Sequence, residues 1–447
     1  MSQPKKKFVA VGTGGRIPMF IDPIARDYHQ YCELAAFCDL SQVRMDYHRN
    51  RLAKDYGYSG EIRTYLASDF DRMIEEVKPD TVIICTTDAL HHEYIIRSVE
   101  KGCDVICEKP ITIDLEKSRA IVEAVRRTGK NVRVTFNVRW TPAAEKLREL
   151  ILSGVIGNVK HVNMEYLLNT SHGADYFRRW HSEKSSSGGL LVHKSTHHFD
   201  LVNWLIDAIP QTVFAIGDLV FYGKKNAIAR GDEKFTRYER YSETRPGEDP
   251  FYFDLDKTES TKELYRKAEA ETGYIRDRNV FRDGIDIEDS MSVLVRYRNG
   301  VMFNYSLNAF CPEEGYRLHI TGDKGRIEYI EMHNSHIIAG QSDTELGKQQ
   351  SHKRQELKVL PLFAEPYLVE IPRGVGGHGG GDVRLQEAMF SPNPPFDKYA
   401  RNAGHEQGLA SALIGIAANE SIKTGQPVDI CSLGILPSNA IRLTEIQ

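Results

Sequence analysis

From Gly188 to Asp200 the chain reads Gly-Gly-Leu-Leu-Val-His-Lys-Ser-Thr-His-His-Phe-Asp, which places His193, Lys194, His197 and His198 within six residues. Three imidazoles and an ammonium are not ordinary core material, whereas an active site that moves protons near neutral pH needs such groups. Read as one helix over Leu190 to Leu205, the positions His193, His197, Asp200 and Trp204 share a face, with Lys194 and His198 one step round. Oxidising an alcohol to a ketone requires hydride loss from carbon and proton loss from oxygen, and His or a pKa-lowered Lys suits the second task. The HxxxH spacing of His193 and His197 also suits a metal, with His181 or His378 and Asp382 as further ligands. Lys194 and Lys109 would repel a cation there, so no metal is expected.

Two further clusters point the same way. Gly12-Thr13-Gly14-Gly15-Arg16 follows the apolar run Phe8 to Val11, where a glycine turn lets a dinucleotide pyrophosphate approach the backbone. Position 17 is Ile17 rather than a third glycine, and Arg16 is read as a phosphate contact. Asp39, ending the next apolar run, would accept adenosine ribose hydroxyls and repel a 2′-phosphate, which favours NAD over NADP. Glu108-Lys109-Pro110 and Thr86-Thr87-Asp88-Ala89-Leu90-His91 likewise end apolar runs. Charged groups there are costly unless paired or used, so Glu108 and Lys109 are read as site residues, with Thr86, Thr87 and His91 as cofactor contacts.

Short apolar runs at Phe8 to Val11, Leu34 to Cys38, Thr81 to Cys85, Asp104 to Cys107 and Val132 to Phe136 alternate with amphipathic stretches. That pattern predicts buried parallel strands flanked by helices, a doubly wound domain. Thr141-Pro142 then reads as a helix start. Later runs, from Val159 to Leu168 through Arg326 to Ile330, predict an open, mostly antiparallel sheet carrying a late helix from about Ala403 to Lys423. The expected division is a dinucleotide-binding domain at 1–138 and a substrate and oligomerisation domain at 139–447. A charged, aromatic-rich insertion occupies about 222–285, and a glycine-dense loop occupies 372–382.

Composition excludes other classes. With 58 Lys plus Arg against 62 Asp plus Glu in 447 residues, no basic patch suggests nucleic acid or an anionic membrane. No run of about 18 apolar residues predicts a membrane span. The polar start at Met1 leaves no room for a secretory leader. The seven cysteines form no CxxC pair and read as reduced, structural thiols, so a cytoplasmic protein is expected.

The glycine turn, Glu108-Lys109-Pro110, Asn137-Val138-Arg139-Trp140-Thr141-Pro142, the Gly154 to Gly157 turn and the pattern ending at His197 and Asp200 resemble the glucose-fructose oxidoreductase / inositol dehydrogenase / rhizopine-catabolism (Gfo/Idh/MocA) family. The resemblance implies an N-terminal Rossmann domain and a C-terminal α/β domain whose open sheet joins subunits into a homo-oligomer. It also implies NAD(P)-linked dehydrogenase chemistry on a sugar, polyol or glycoside. On it, Lys109 matches the lysine that orients the substrate hydroxyl and His197 the catalytic histidine, with His193 beside it. Lys194, Arg179, Trp180 and His181 would shape the substrate site; Gly12, Gly14, Gly15, Arg16, Asp39, Thr86, Thr87, His91, Glu108, Lys109 and Asn137 would hold the cofactor. Many members have Asp at the position of His193, so this pocket is more cationic than usual. An alternative, motivated by the surplus of bases, is redox-neutral glycoside cleavage through a transient keto-sugar on retained NAD.

Overall fold

The apolar run Phe8 to Val11 becomes the buried end of β1 (Lys6–Val11), central to a six-stranded parallel sheet. The other strands are β2 (Cys32–Asp39), β3 (Arg63–Leu66), β4 (Thr81–Ile84), β5 (Asp104–Cys107) and β6 (Val132–Val134), in the order β3-β2-β1-β4-β5-β6. The order reverses between β1 and β4, the place where a doubly wound sheet leaves a crevice beyond the carboxyl ends of its strands. Strand β3 escapes an apolar-run reading because it is an edge strand in which Arg63 and Leu66 are exposed. This structure, a computed structural model, describes residues 4–338 and 353–446 and leaves out the side chain of His378; Met1 to Gln3 lie outside it.

Helices α1 (Pro18–Arg26), α2 (Gln42–Tyr56), α3 (Phe70–Val77), α4 (His91–Glu100) and α5 (Leu115–Thr128) connect the strands. Ser41 caps α2 by accepting the Arg44 amide at 3.2 Å, and Asp114 caps α5 by accepting that of Lys117 at 2.9 Å. Thr141 does the same for α6 (Pro142–Leu152), at 3.1 Å from the Ala144 nitrogen, and the chain then leaves the first sheet.

The second sheet has nine strands, ordered β14-β13-β12-β11-β7-β10-β9-β8-β15. They are β7 (Val159–Asn169), β8 (Pro210–Asp218), β9 (Ser290–Tyr297), β10 (Met302–Cys311), β11 (Gly315–Gly322), β12 (Gly325–Met332), β13 (Arg354–Pro361), β14 (Tyr367–Leu368) and β15 (Val428–Asp429). Among the described residues only β7 and β10 pair in parallel in this sheet, so it is mostly antiparallel as expected. The long helix His405–Thr424 packs so tightly on the chain before His193 that a methyl on Gly415 would meet the Leu191 carbonyl oxygen at 2.3 Å.

Three features differ from the sequence reading. The helix expected over Leu190 to Leu205 is broken into Leu190–His193 and Thr196–Ile206. The Leu190 carbonyl accepts both the Lys194 and the Ser195 amides at 2.9 Å, and the Ser195 hydroxyl is held 3.0 Å from that of Tyr305, so the chain takes one wide step there. Second, the insertion has its own aromatic packing. Phe221, Tyr222, Phe251 and Phe281 contact one another, while Asp289 accepts the amides of Val220, Phe221 and Tyr222 at 2.8–2.9 Å. Third, the chain returns to the first sheet: in helix Gly381–Phe390, Gln386 donates to the Met19 carbonyl at 2.9 Å and Phe390 meets Phe8 edge-on at 5.5 Å. All seven cysteines are free, and among the described residues no helix is long and apolar enough to cross a membrane.

Candidate active site

The crevice begins at the glycine turn. Gly12 has φ +84°, and a methyl there would meet the Cys85 carbonyl at 2.6 Å, so only glycine lets β1 turn beside β4. Beyond it the backbone opens, with nothing within 4 Å of where a Gly14 methyl would lie. Asp39 stands at the mouth, its carboxylate accepting the Thr13 amide at 2.5 Å and the Ser41 amide at 2.9 Å. Lone pairs remain for ribose hydroxyls. An open cradle beside a fixed carboxylate fits a nicotinamide dinucleotide. Arg16, expected to reach phosphate, instead places its Nε 3.2 Å from Glu108, which also accepts the Thr135 hydroxyl at 3.1 Å.

At the carboxyl end of β5, Lys109 crosses to the second half of the chain and donates to the His193 carbonyl at 3.0 Å. Burial lowers the Lys109 pKa, while Glu108 and then Asp88 oppose the shift. His193 sits with Nδ1 2.6 Å from an Asp88 carboxylate oxygen. Burial raises the pKa of Asp88 and lowers that of His193, so both shifts disfavour the charged forms of the pair. His197 follows one turn later, half-buried, with its ring 6.3 Å from that of Phe136, just beyond β6. The halves therefore meet where Lys109 reaches the His193 carbonyl, with His197 one turn further along against Phe136. Just beyond β6, Arg139 fixes the chain leaving the first sheet: its guanidinium is fully buried, forks onto Asp200 at 2.7 and 2.5 Å and reaches Gln407 at 2.8 Å.

Aromatic groups enclose His193. Trp180 stacks on His181 at 3.6 Å, His181 lies 4.1 Å from His193, and Tyr176 flanks both. Arg179 pairs with Asp175 at 3.2 Å. Lys194 points the other way, with its ammonium 5.0 Å over the Tyr166 ring. Burial brings its pKa down to about 8, Glu314 opposing and Lys109 reinforcing the shift.

Two expected cofactor contacts do not open onto the crevice. His91 is fully buried, with Nδ1 2.7 Å from the Pro110 carbonyl and Nε2 3.3 Å from that of Thr86. It braces the backbone carrying Lys109 and Thr86, which with Thr87 remains partly exposed. Asn137 is fully buried and donates to Asp382 at 2.7 Å, which gives the glycine loop a structural task. A methyl on Gly381 would lie 2.3 Å from the Asn137 carbonyl oxygen. The apparent surplus of bases thins accordingly: His91 is spent on backbone, and His198 lies 2.7 Å from the Tyr305 hydroxyl. The glycine-loop imidazole, His378, lies outside the described side chains. Among the described residues no cluster of three or more His, Cys, Asp or Glu is arranged to hold a metal. The residue that sequence reading missed is Asp88. It stood in a quoted motif, but its partner lies 105 positions away, and no spacing rule reaches that far.

Comparison with known proteins agrees with this geometry. A family model described as "Oxidoreductase family, NAD-binding Rossmann fold" matches residues 6–136, and "Oxidoreductase family, C-terminal alpha/beta domain" matches 148–430. The chain is 33% identical over 440 residues to "Putative oxidoreductase YteT" of Bacillus subtilis (strain 168), covering 96% of this chain and 98% of that one. It is 28% identical over 176 residues to "D-glucoside 3-dehydrogenase" of Escherichia coli (strain K12), covering 39% of this chain and 46% of that one. The fold also matches the WlbA dehydrogenase from Bordetella pertussis, solved with NADH and UDP-GlcNAcA, with a TM-score of 0.59 at 17% identity over 96% of this chain and 99% of that one.

Proposed function

The chain belongs to the Gfo/Idh/MocA oxidoreductase family, and from that premise we propose that it oxidises a secondary hydroxyl of a sugar, polyol or glycoside with NAD. The observation that carries the reading is the meeting of Lys109, from the end of β5, with the His193 carbonyl at 3.0 Å, one helical turn before His197. Gly12, Gly14, Gly15, Thr86 and Thr87 form the backbone cradle for the dinucleotide, and Asp39 takes the adenosine ribose. When bound there, the nicotinamide supplies the hydride acceptor.

Lys109 has three N–H groups and spends one on His193, so it can direct the others at the reacting hydroxyl. That contact holds the oxygen and stabilises negative charge as its proton leaves. His197 takes the proton as a neutral imidazole. His193, fixed by Asp88, borders the sugar together with Trp180, His181 and Arg179, while Lys194, expected there, turns to Tyr166. Sugar dehydrogenases among the relatives, such as the D-glucoside enzyme, support this substrate class. Exposed Ile216, Leu294 and Met302 on the nine-stranded sheet support association of subunits through that sheet.

The test is an NADH absorbance assay over a panel of sugars, polyols and glycosides, with Lys109→Met alongside. The wild type should form NADH with at least one compound, and K109M should lose about 10²–10⁴-fold in kcat while still binding NADH. No NADH from any compound, or unchanged turnover by K109M, would overturn the reading.

A further inference from the structure

The insertion reaches across the chain to the adenosine end of the crevice. Its segment Thr258 to Gly273 contains the short helix Glu259–Thr261, a wide turn at Lys262–Lys267 and a final helical turn at Glu269–Thr272. Arg240 anchors the far side, pairing with Glu269 at 2.8 Å and Asp277 at 2.6 Å. On the near side the Leu264 carbonyl accepts from Arg44 Nε at 2.8 Å. The Tyr265 ring lies between two guanidinium groups, Arg44 at 5.8 Å and Arg276 at 5.5 Å. Its hydroxyl would lie 2.7 Å from a methyl placed on Gly15. The segment therefore passes beside the glycine turn and lands on the loop after β2.

It lands through Glu271. One carboxylate oxygen of Glu271 accepts the Ser41 hydroxyl at 2.5 Å and the Val43 amide at 3.2 Å. Those donors are the N-cap of α2, two residues beyond the end of β2 at Asp39, and the second residue of α2. In a doubly wound domain this is where a ribose 2′-phosphate would find hydrogen-bond donors and the positive end of a helix. The usual cationic aid to such a phosphate is an arginine nearby, and here Arg44 is engaged by the chain itself, its Nε donating to Leu264, its Nη1 3.9 Å from Asp39 and its guanidinium 5.8 Å from the Tyr265 ring. Ser41 also donates its amide to Asp39, so two carboxylates flank a single residue.

The geometry points to Glu271 as a determinant of cofactor choice: it fills the 2′-phosphate position with the chain's own anion, excluding NADP while leaving Asp39 to receive the ribose hydroxyls of NAD. This rests on the proposed binding of a dinucleotide in the crevice. It adds a residue from the insertion, 230 positions from its partner Ser41, to a discrimination otherwise left to Asp39 alone.

The experiment is a fluorescence titration of the full-length protein with NADH and with NADPH, for wild type, Glu271→Gln and Glu271→Ala. E271Q keeps the size and an acceptor oxygen while removing the charge, so it decides the matter should E271A fold poorly. The wild type should prefer NADH, and both variants should gain at least about tenfold in NADPH affinity relative to NADH, because a like charge has been removed beside the phosphate. An unchanged ratio in E271Q, or a wild type that binds both nucleotides equally, overturns the inference and leaves the proposed function standing. A wild type that binds neither nucleotide overturns both.

Discussion

The buried pair of Arg139 and Asp200 can be cut from either end, and the ends should not cost the same. Arg139 is fully buried and Asp200 is 1% exposed, so each depends on the other for compensation of its charge. Asp200→Leu leaves the guanidinium with Gln407 and the Phe136 ring but no anion, and a guanidinium cannot shed its proton inside a protein. A buried charge stripped of its partner costs about 3–5 kcal/mol. Arg139→Met leaves a carboxyl that can respond. Burial already lifts Asp200 to about 6 against the pull of Arg139, and without that pull it rises further and takes up a proton. R139M should therefore lose less stability than D200L at neutral pH.

The sign of the pH dependence follows. A carboxyl whose folded pKa is raised contributes stability that is present below its unfolded value and lost as pH rises through the folded value. The deficit of R139M should accordingly shrink as pH falls from 7 toward 4, while D200L shows no such recovery. In the double variant R139M/D200L, apolar packing replaces both ions, and most of the loss should return. Urea denaturation with an NADH titration at each pH measures all four proteins. A D200L variant within about 1 kcal/mol of wild type, or R139M less stable than D200L at pH 7, would refute the reasoning.

Two further outcomes can be checked without knowing the substrate. Gly14→Ala adds a methyl where no protein atom lies within 4 Å, so the thermal midpoint should hold while NADH affinity falls at least about tenfold, because the methyl enters the phosphate cradle. Equal NADH affinity would remove the dinucleotide from that turn. Lys194 has its folded pKa lowered from 10.5 to about 8, so the folded chain holds fewer protons than the unfolded chain between those values, and stability from this group rises with pH there. Measured against Lys194→Met, wild type should gain in thermal midpoint as pH rises from about 8 to 10; a constant difference would mean that Lys194 is not desolvated.

Features set by neighbours in the chain were legible in the sequence. The parallel strands other than β3 announced themselves as apolar runs because both faces of each are covered. Ser41, Asp114 and Thr141 announced helix starts because a cap acts within three residues. Gly12 was legible for the same reason, since its turn follows directly from β1. The edge strand β3, and β13 to β15 on the outer parts of the second sheet, were not legible, because half-exposed or two-residue strands leave no continuous pattern. The break after His193 was hidden as well. It depends on Tyr305 holding the Ser195 hydroxyl from a strand 110 residues on.

The candidate site divides along the same line, between the kind of residue and its partner. Asp39 and Lys109 could be picked out because charged groups at strand ends demand a use, and His193 and His197 because imidazoles and an ammonium crowd one short stretch. What each touches is decided by topology, with Lys109 meeting His193 across 84 positions and Asn137 meeting Asp382 across 245. Nothing local encodes those separations, and for that reason His91 and Asn137 looked like cofactor contacts when they brace backbone and glycine loop. The insertion is the limiting case. Its charged, aromatic-rich composition reads in sequence as a partly ordered insertion over a pocket or subunit surface, and Glu271 acquires meaning only when Ser41 and Val43 stand opposite it. A surface-like composition therefore does not exclude a segment from a binding site, since a carboxylate placed where a ligand's anion would sit can choose between ligands by occupying the place itself.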